Sequence, residues 1–338
     1  MRALPALALF LAAFLAVRAA VADRLPERLK VEYLAARADR TEVVFIGSSR
    51  VWREIDPEVF DARCAAAGRP LRSLNLGMQG MRFPETVALA RRALALPGSR
   101  LRWLVLELSP YETAIEPDNR LTARVVSWHD TRTTLELVEA VLRQELPIGE
   151  KLSRIGDHLL HWGYRTGNIG RGPEALERLL HPAPPDFAGR RALGPAGNGF
   201  LPLDLERGAN FQARRRLFLE DLPRFQEARD TLRGPDPPDA VPDPILDRVL
   251  HRLQARCAER GVGLVLVILP VIERRPELHA LAAAAPGRIL IRFDDPDAWP
   301  EFYRARNRFD IHHLNAAGAR LLSEALADEF LRRTAPAD

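Results

Sequence analysis

Three residue types needed for nucleophilic acyl transfer stand in two short segments of this chain. Ser49 follows the apolar run Val43-Val44-Phe45-Ile46-Gly47-Ser48, and Asp310 and His313 stand three residues apart in Arg308-Phe309-Asp310-Ile311-His312-His313-Leu314-Asn315. A serine hydroxyl is a weak nucleophile until an imidazole takes its proton and a carboxylate holds that imidazole in one tautomer. The order of the three along a chain is not fixed by the chemistry. A tight turn at 310–313 lets the carboxylate reach Nδ1 and leaves Nε2 for Ser49. His312 competes for the base role, and the spacing favours His313. Read alone, Gly-Ser-Ser is equally a helix cap. A second segment, Asn75-Leu76-Gly77-Met78-Gln79-Gly80, puts two glycines after an apolar run. A glycine N–H there is an oxyanion donor beside the N–H of Ser49, or the pair makes only a strand-to-helix turn. Arg50, next to the serine, is a candidate contact for an anionic substrate or a surface arginine.

The elements that must position these residues are readable as alternating runs. Five short apolar stretches, 42–47, 71–77, 103–108, 263–270 and 288–293, have the look of parallel strands buried on both faces. Helical patterns follow at 57–67, 84–96, 244–260 and 316–332. The first has Asp56 as its cap and Pro57 at its first position, and Asn315 caps the last. Such alternation predicts an α/β fold with an open parallel sheet, its ligands at the carboxyl ends of the strands. Residues 111–244 are too long for a simple crossover. Helical patterns at 133–144, 150–162, 173–180 and 210–232 predict a helical insertion, either a cap over the site or a peripheral decoration, with Pro/Gly-rich segments at 181–202 and 234–244.

Composition narrows the function classes. The 338 residues are 47% hydrophobic with a net charge of +4, enough apolar content for a core. The basic residues are scattered, and only Lys30 and Lys151 are lysines. No basic block with interleaved aromatics suggests nucleic acid, and no Walker loop or dinucleotide fingerprint follows a strand. Residues 1–22 read as a signal peptide or a membrane anchor. An apolar run from Ala3 to Val17 precedes Arg18, and Ala20-Val21-Ala22 matches a cleavage site; both readings export the rest. Asp157, His158 and His161 would offer metal ligands on one helical turn but lack a further ligand at a suggestive spacing. Trp128-His129-Asp130 reads as a loop before a helix.

Together these segments resemble the SGNH/GDSL hydrolase superfamily. Its first block is matched by Val44-Phe45-Ile46-Gly47-Ser48-Ser49, its second by Asn75-Leu76-Gly77-Met78-Gln79-Gly80, and its last by Asp310-Ile311-His312-His313. The resemblance implies a flavodoxin-like three-layer sandwich with five parallel strands in the order 2-1-3-4-5 and a helical insertion between strands 3 and 4. It also implies a domain over 41–335, after a helical linker at 23–40. Ser49 would be the nucleophile, His313 the base and Asp310 its orienter, with Ser49 and Gly80 as oxyanion donors. Two departures stand out. Ser48 replaces the usual Asp, and Glu107-Leu108-Ser109-Pro110-Tyr111 replaces the third block, Gly-x-Asn-Asp, with Tyr111 near the place of the Asn. Asn75 and Tyr111 join Arg50 as candidate substrate contacts. Both departures, with the N-terminal segment, are similar to the envelope-associated branch. That branch implies an exported esterase or O-acyltransferase acting on an acyl ester or acylated glycan, without metal or cofactor. It further implies a membrane-bound acyltransferase partner, or a catalytically weak protein that binds glycan or that partner. In the implied strand order, Cys64 and Cys257 belong to helices on opposite faces of the sheet, and no disulfide joins them.

Overall fold

A computed structural model describes residues 3–20, 26–120, 122–167, 169, 191–285 and 287–335. Residues 21 and 22 of the cleavage site, the expected helix at 173–180 and the first part of the segment at 181–202, residues 181–190, lie outside the described residues. The chain forms two compact units. One comprises Met1–Leu29 with Thr113–Gly189; the other comprises Lys30–Glu112 with Arg190–Asp338. The stretch between the third and fourth strands is therefore shared: its first part belongs to the smaller unit and its second to the larger.

The larger unit is an α/β sandwich around a five-stranded, all-parallel sheet ordered β2-β1-β3-β4-β5. Its strands are β1 (Val43–Ile46), β2 (Ser73–Asn75), β3 (Trp103–Glu107), β4 (Gly263–Ile268) and β5 (Ile289–Arg292). Each is a residue or more shorter than its apolar run. The extra residues at the carboxyl ends turn out of the ladder and begin the loops. Pairing is in register, with Val43 beside Ser73 on one side and beside Trp103 on the other.

Two helical layers cover the sheet. On one face α3 (Ser49–Glu54) and α4 (Pro57–Ala66) pack with the last helix, α13 (Ala316–Arg333); on the other α5 (Phe83–Leu94) packs with α11 (Pro244–Glu259). The Asp56 side chain accepts from Glu58 N at 3.0 Å, and the Asn315 side chain accepts from Gly318 N at 2.9 Å, so both caps occupy the helix starts that local chemistry favours. In the core, Phe60 meets the ring of Phe45 edge-on at 5.0 Å and that of Phe330 at 5.3 Å. Burial of each such ring stabilises the fold by roughly 1.5–3 kcal/mol. Cys64 on α4 and Cys257 on α11 are free and buried in the opposite layers. Burial pushes their thiols up, to about 12 and about 11.

The expected single helix at 210–232 is two, α9 (Ala209–Glu220) and α10 (Leu222–Asp230). Pro223 lacks the N–H a continuous helix needs, and Asp221 breaks the run with φ −125° and caps the second helix through Arg224 N. An unforeseen helix, α12 (Pro276–Ala284), lies before β5.

The smaller unit holds α1 (Ala3–Ala20), α6 (Ala123–Trp128), α7 (Thr131–Arg143) and α8 (Ile148–Gly167). The helix α2 (Pro26–Ala35) crosses the sequence boundary between the units. At 18 residues, α1 is about 27 Å long, short of the ~30 Å hydrocarbon core of a bilayer. Among the described residues no helix is long and apolar enough to cross a membrane.

Candidate active site

The carboxyl edge of the sheet gathers the residues that the sequence singles out. The chain leaves β1 at Gly47, where a Cβ would stand 2.5 Å from the Cβ of Glu107, so only glycine lets β1 end this close to β3. Ser48 caps α3: its hydroxyl accepts from Arg50 N at 3.2 Å. Ser49 is then the first helical residue, and its hydroxyl lies 2.9 Å from Nε2 of His313.

His313 belongs to a closed turn. Arg308 and Leu314 form an antiparallel bridge, and Phe309 N donates to His313 O at 2.9 Å. Inside this turn Oδ1 of Asp310 accepts from the backbone N–H groups of His312 and His313 at 2.8 and 2.9 Å. The same oxygen accepts Nδ1–H of His313 at 3.0 Å. The backbone bonds fix the carboxylate, and the carboxylate fixes the imidazole tautomer, so Nε2 presents its lone pair to Ser49. His312 is exposed. Burial pulls the His313 imidazole below its usual value, against the raising effect of the Asp310 hydrogen bond. Burial opposes ionisation of Asp310, but the hydrogen bond and charge of His313, with Arg214, hold its carboxyl well below the usual carboxylate range.

Several supporting side chains escaped sequence reasoning. Glu107, buried at the end of β3, accepts from Ser48 N at 2.5 Å, Ser48 Oγ at 3.0 Å and Arg50 Nε at 2.8 Å. Its one signal was a carboxylate closing an otherwise apolar strand. Arg214 of α9 donates to Oδ2 of Asp310 and lies 3.2 Å from Nδ1 of His313. Arg308, fully buried, donates to the carbonyls of Phe302 at 3.1 Å, Ile311 at 2.8 Å and Asp310 at 3.3 Å, which stiffens the turn. Glu54 accepts from Leu314 N at 3.3 Å, and its other oxygen is buried without a hydrogen-bond partner. Burial pushes that carboxyl up to about 8, so it stands neutral at pH 7 beside the turn.

The expected substrate contacts fare differently. Asn75 is a correction. It is fully buried, its amide donates to the carbonyls of Val51 at 2.6 Å and Ile55 at 2.7 Å, and its oxygen accepts from Gly77 N at 2.8 Å. Every polar atom of the side chain is spent on holding α3 against the loop after β2, so none is left for a substrate. Lys30 adds to this joint, donating to the carbonyls of Gly77 at 2.7 Å, Gly199 at 3.1 Å and Asn75 at 3.2 Å. Gly77 N is likewise committed, whereas Gly80 is exposed with φ 69° in the turn that follows. Arg50 is half-buried and tied to Glu107. Tyr111 is buried with its ring 6.4 Å from that of Phe83.

In the smaller unit His129, His158 and His161 are buried together, with His129 Nε2 3.1 Å from His158 Nδ1. The Trp128-His129-Asp130 segment thus closes a short helix and begins α7 with Asp130 as cap, and His129 is a core residue. Burial lowers His129 to about 3 and His158 to about 4, so both are neutral at pH 7. Among the described residues no group of three or more His, Cys, Asp or Glu side chains could hold a metal ion. No protein-family model matches the chain, and no curated protein does either.

Proposed function

We propose that this protein is an exported serine esterase or O-acyltransferase of the SGNH type. The observation that carries the reading is the continuous relay from Ser49 Oγ through the two ring nitrogens of His313 to the Asp310 carboxylate. Ser49 attacks an ester carbonyl while Nε2 of His313 takes its proton. Asp310, held ionised, stabilises the imidazolium that forms. The N–H groups of Ser49 and Gly80 receive the oxyanion. His313 then returns its proton to the leaving alcohol, and the acyl-enzyme passes to water or to a sugar hydroxyl. None of these steps calls on a metal or an organic cofactor. An acylated glycan of the cell envelope, supplied with a membrane-bound acyltransferase, is the proposed setting. Fluorophosphonate labelling tests the reading: wild type takes the probe, and Ser49→Ala does not. Labelling that is absent from wild type, or unchanged by the substitution, removes it.

A second reading has its own support. No asparagine follows β3 as a further oxyanion donor, and the Arg214 guanidinium beside Nδ1 opposes imidazolium formation. Loss of one oxyanion donor typically costs on the order of 10²–10³ in rate. A weakly catalytic glycan- or partner-binding protein would show slow labelling and no measurable turnover of simple aryl esters.

A further inference from the structure

One carboxylate holds the chain on both sides of the serine. Glu107 closes β3 and is 4% exposed. Its Oε2 accepts from Ser48 N at 2.5 Å, and its Oε1 accepts from Ser48 Oγ at 3.0 Å and from Arg50 Nε at 2.8 Å. Ser48 and Arg50 are the chain neighbours of Ser49. Hydrogen bonds to a carboxylate are shorter and stronger than those between neutral groups. They matter more here because α3 has only six residues, and a helix that short has little stability of its own. Where Ser49 sits is therefore set by what anchors the start of α3 to the sheet.

The residues around the serine suit this contact. A Cβ on Gly47 would stand 2.6 Å from Oε2 of Glu107, so glycine makes room for the carboxylate. The Ser48 hydroxyl has two roles at once: it donates to Glu107 and accepts from Arg50 N at 3.2 Å. An aspartate at 48 would set a second carboxylate against the first and supply no hydroxyl donor. Arg50 provides the balancing charge. The other acids that bear on Arg50 are Glu54, neutral at pH 7, and Glu273, whose side chain is 60% exposed. Glu107 is the one that meets the guanidinium in a close ion pair.

We propose that Glu107 is a positioning residue for the nucleophile: it clamps residues 48 and 50 to the end of β3 and so holds the Ser49 hydroxyl 2.9 Å from Nε2 of His313. The inference rests on the reading of Ser49 as the nucleophile. A misplacement of about 1 Å costs on the order of 10²-fold in rate, so an anchor on both neighbours of the reacting group has a kinetic consequence. The clamp also carries charge. The Arg50 guanidinium lowers the His313 imidazole, and a carboxylate paired with that guanidinium weakens its field.

The test uses the full chain with an aryl acetate and a fluorophosphonate probe. Glu107→Gln keeps the shape of the side chain but sets an amide against the donors of Ser48 and Arg50. Its kcat should fall by about 10²-fold with KM little changed, and fluorophosphonate labelling should slow by a similar factor. The acid limb of kcat/KM should move to lower pH, because Arg50 then bears on His313 unopposed. Arg50→Met removes the cation instead, and its limb should move to higher pH. A residue that only stabilises the fold would not move the two limbs in opposite directions. Full activity in Glu107→Gln would overturn the proposal, and so would lost activity with both limbs in place. If Glu107→Gln does not fold, Arg50→Met decides, and a limb that stays in place overturns the proposal. Wild type that takes no probe would remove the reading of Ser49 and the clamp with it. Wild type that labels no faster than Glu107→Gln would remove the clamp alone.

Discussion

The two units place their unusual residues on opposite sides of the water boundary. In the larger unit the exceptional groups are ionisable side chains taken inside: Lys30, Arg53, Glu54, Glu107, Arg308 and Asp310 are all buried. In the smaller unit, among the described residues, the buried polar groups are neutral side chains such as Thr133, Ser127 and His158, and the exceptional groups are leucines left outside. A buried charge is costly unless it is paired and hydrogen-bonded, so a cluster of them marks a place where electrostatics is used. An exposed apolar face costs little in the folded chain alone and marks a place where something else supplies the missing contact. The contrast sets buried ionisable groups in one unit against exposed apolar side chains in the other.

The largest effects should come from breaking the charged side. Asp310→Asn keeps the shape of the turn but loses the acceptor that fixes the His313 tautomer. Ester turnover should fall by about 10⁴-fold in kcat with KM little changed. The double variant Leu152→Glu, Leu159→Glu, at two exposed leucines of the smaller unit, should leave turnover of a soluble ester unchanged; a comparable loss there would tie the smaller unit to the site. Next comes Arg308→Met, which leaves the carbonyls of Phe302 and Ile311 without their donor. A loss of about 3 kcal/mol is expected in urea unfolding; a change below about 0.5 kcal/mol would show that the turn holds without it.

The ion network at the end of β5 gives a smaller effect with a distinctive pH dependence. His279 donates to Asp236 at 2.7 Å and contacts Asp294, and Arg292 joins both carboxylates. Burial opposes the imidazolium, but the two carboxylates prevail and raise the His279 value. Its contribution is therefore complete below the unfolded value of about 6.5 and is lost as pH rises through the folded value. His279→Gln should lower Tm by about 2–4 °C at pH 5.5 and by less at pH 9. An equal loss at both would contradict the charged reading.

The smallest effect concerns the base itself. Since burial lowers His313, the acid limb of kcat/KM should lie below about pH 6.5. Arg214→Met removes a cation beside Nδ1 and should move that limb to higher pH, with only a few-fold change in the plateau. A limb that stays in place would show that Arg214 acts on the turn and not on the imidazole.

Much of this was legible because the signals were local. Apolar runs bounded by turn residues gave all five strands, and Asp56 and Asn315 marked helix starts by their own side-chain chemistry. Asp310 and His313 were legible because only two residues of a tight turn separate them. Asn75 was misread because its type suggests a surface ligand, while only the fold reveals that Val51, Ile55 and Gly77 consume its amide. Arg214 could not be found, since it meets Asp310 across 96 residues and resembles every other arginine in an Arg-rich chain. That Ile148, Leu152 and Leu159 of α8 stand exposed was hidden for a related reason: periodicity gives the width of an apolar face but not the direction in which it points.

The central claim is that Ser49 is the nucleophile. Intact-mass measurement during reaction with an aryl acetate tests it most directly. The account predicts one transient acetyl group per chain, mapped to Ser49 and absent from both Ser49→Ala and His313→Ala. An acetyl group on another residue, or one that persists in Ser49→Ala, would contradict it.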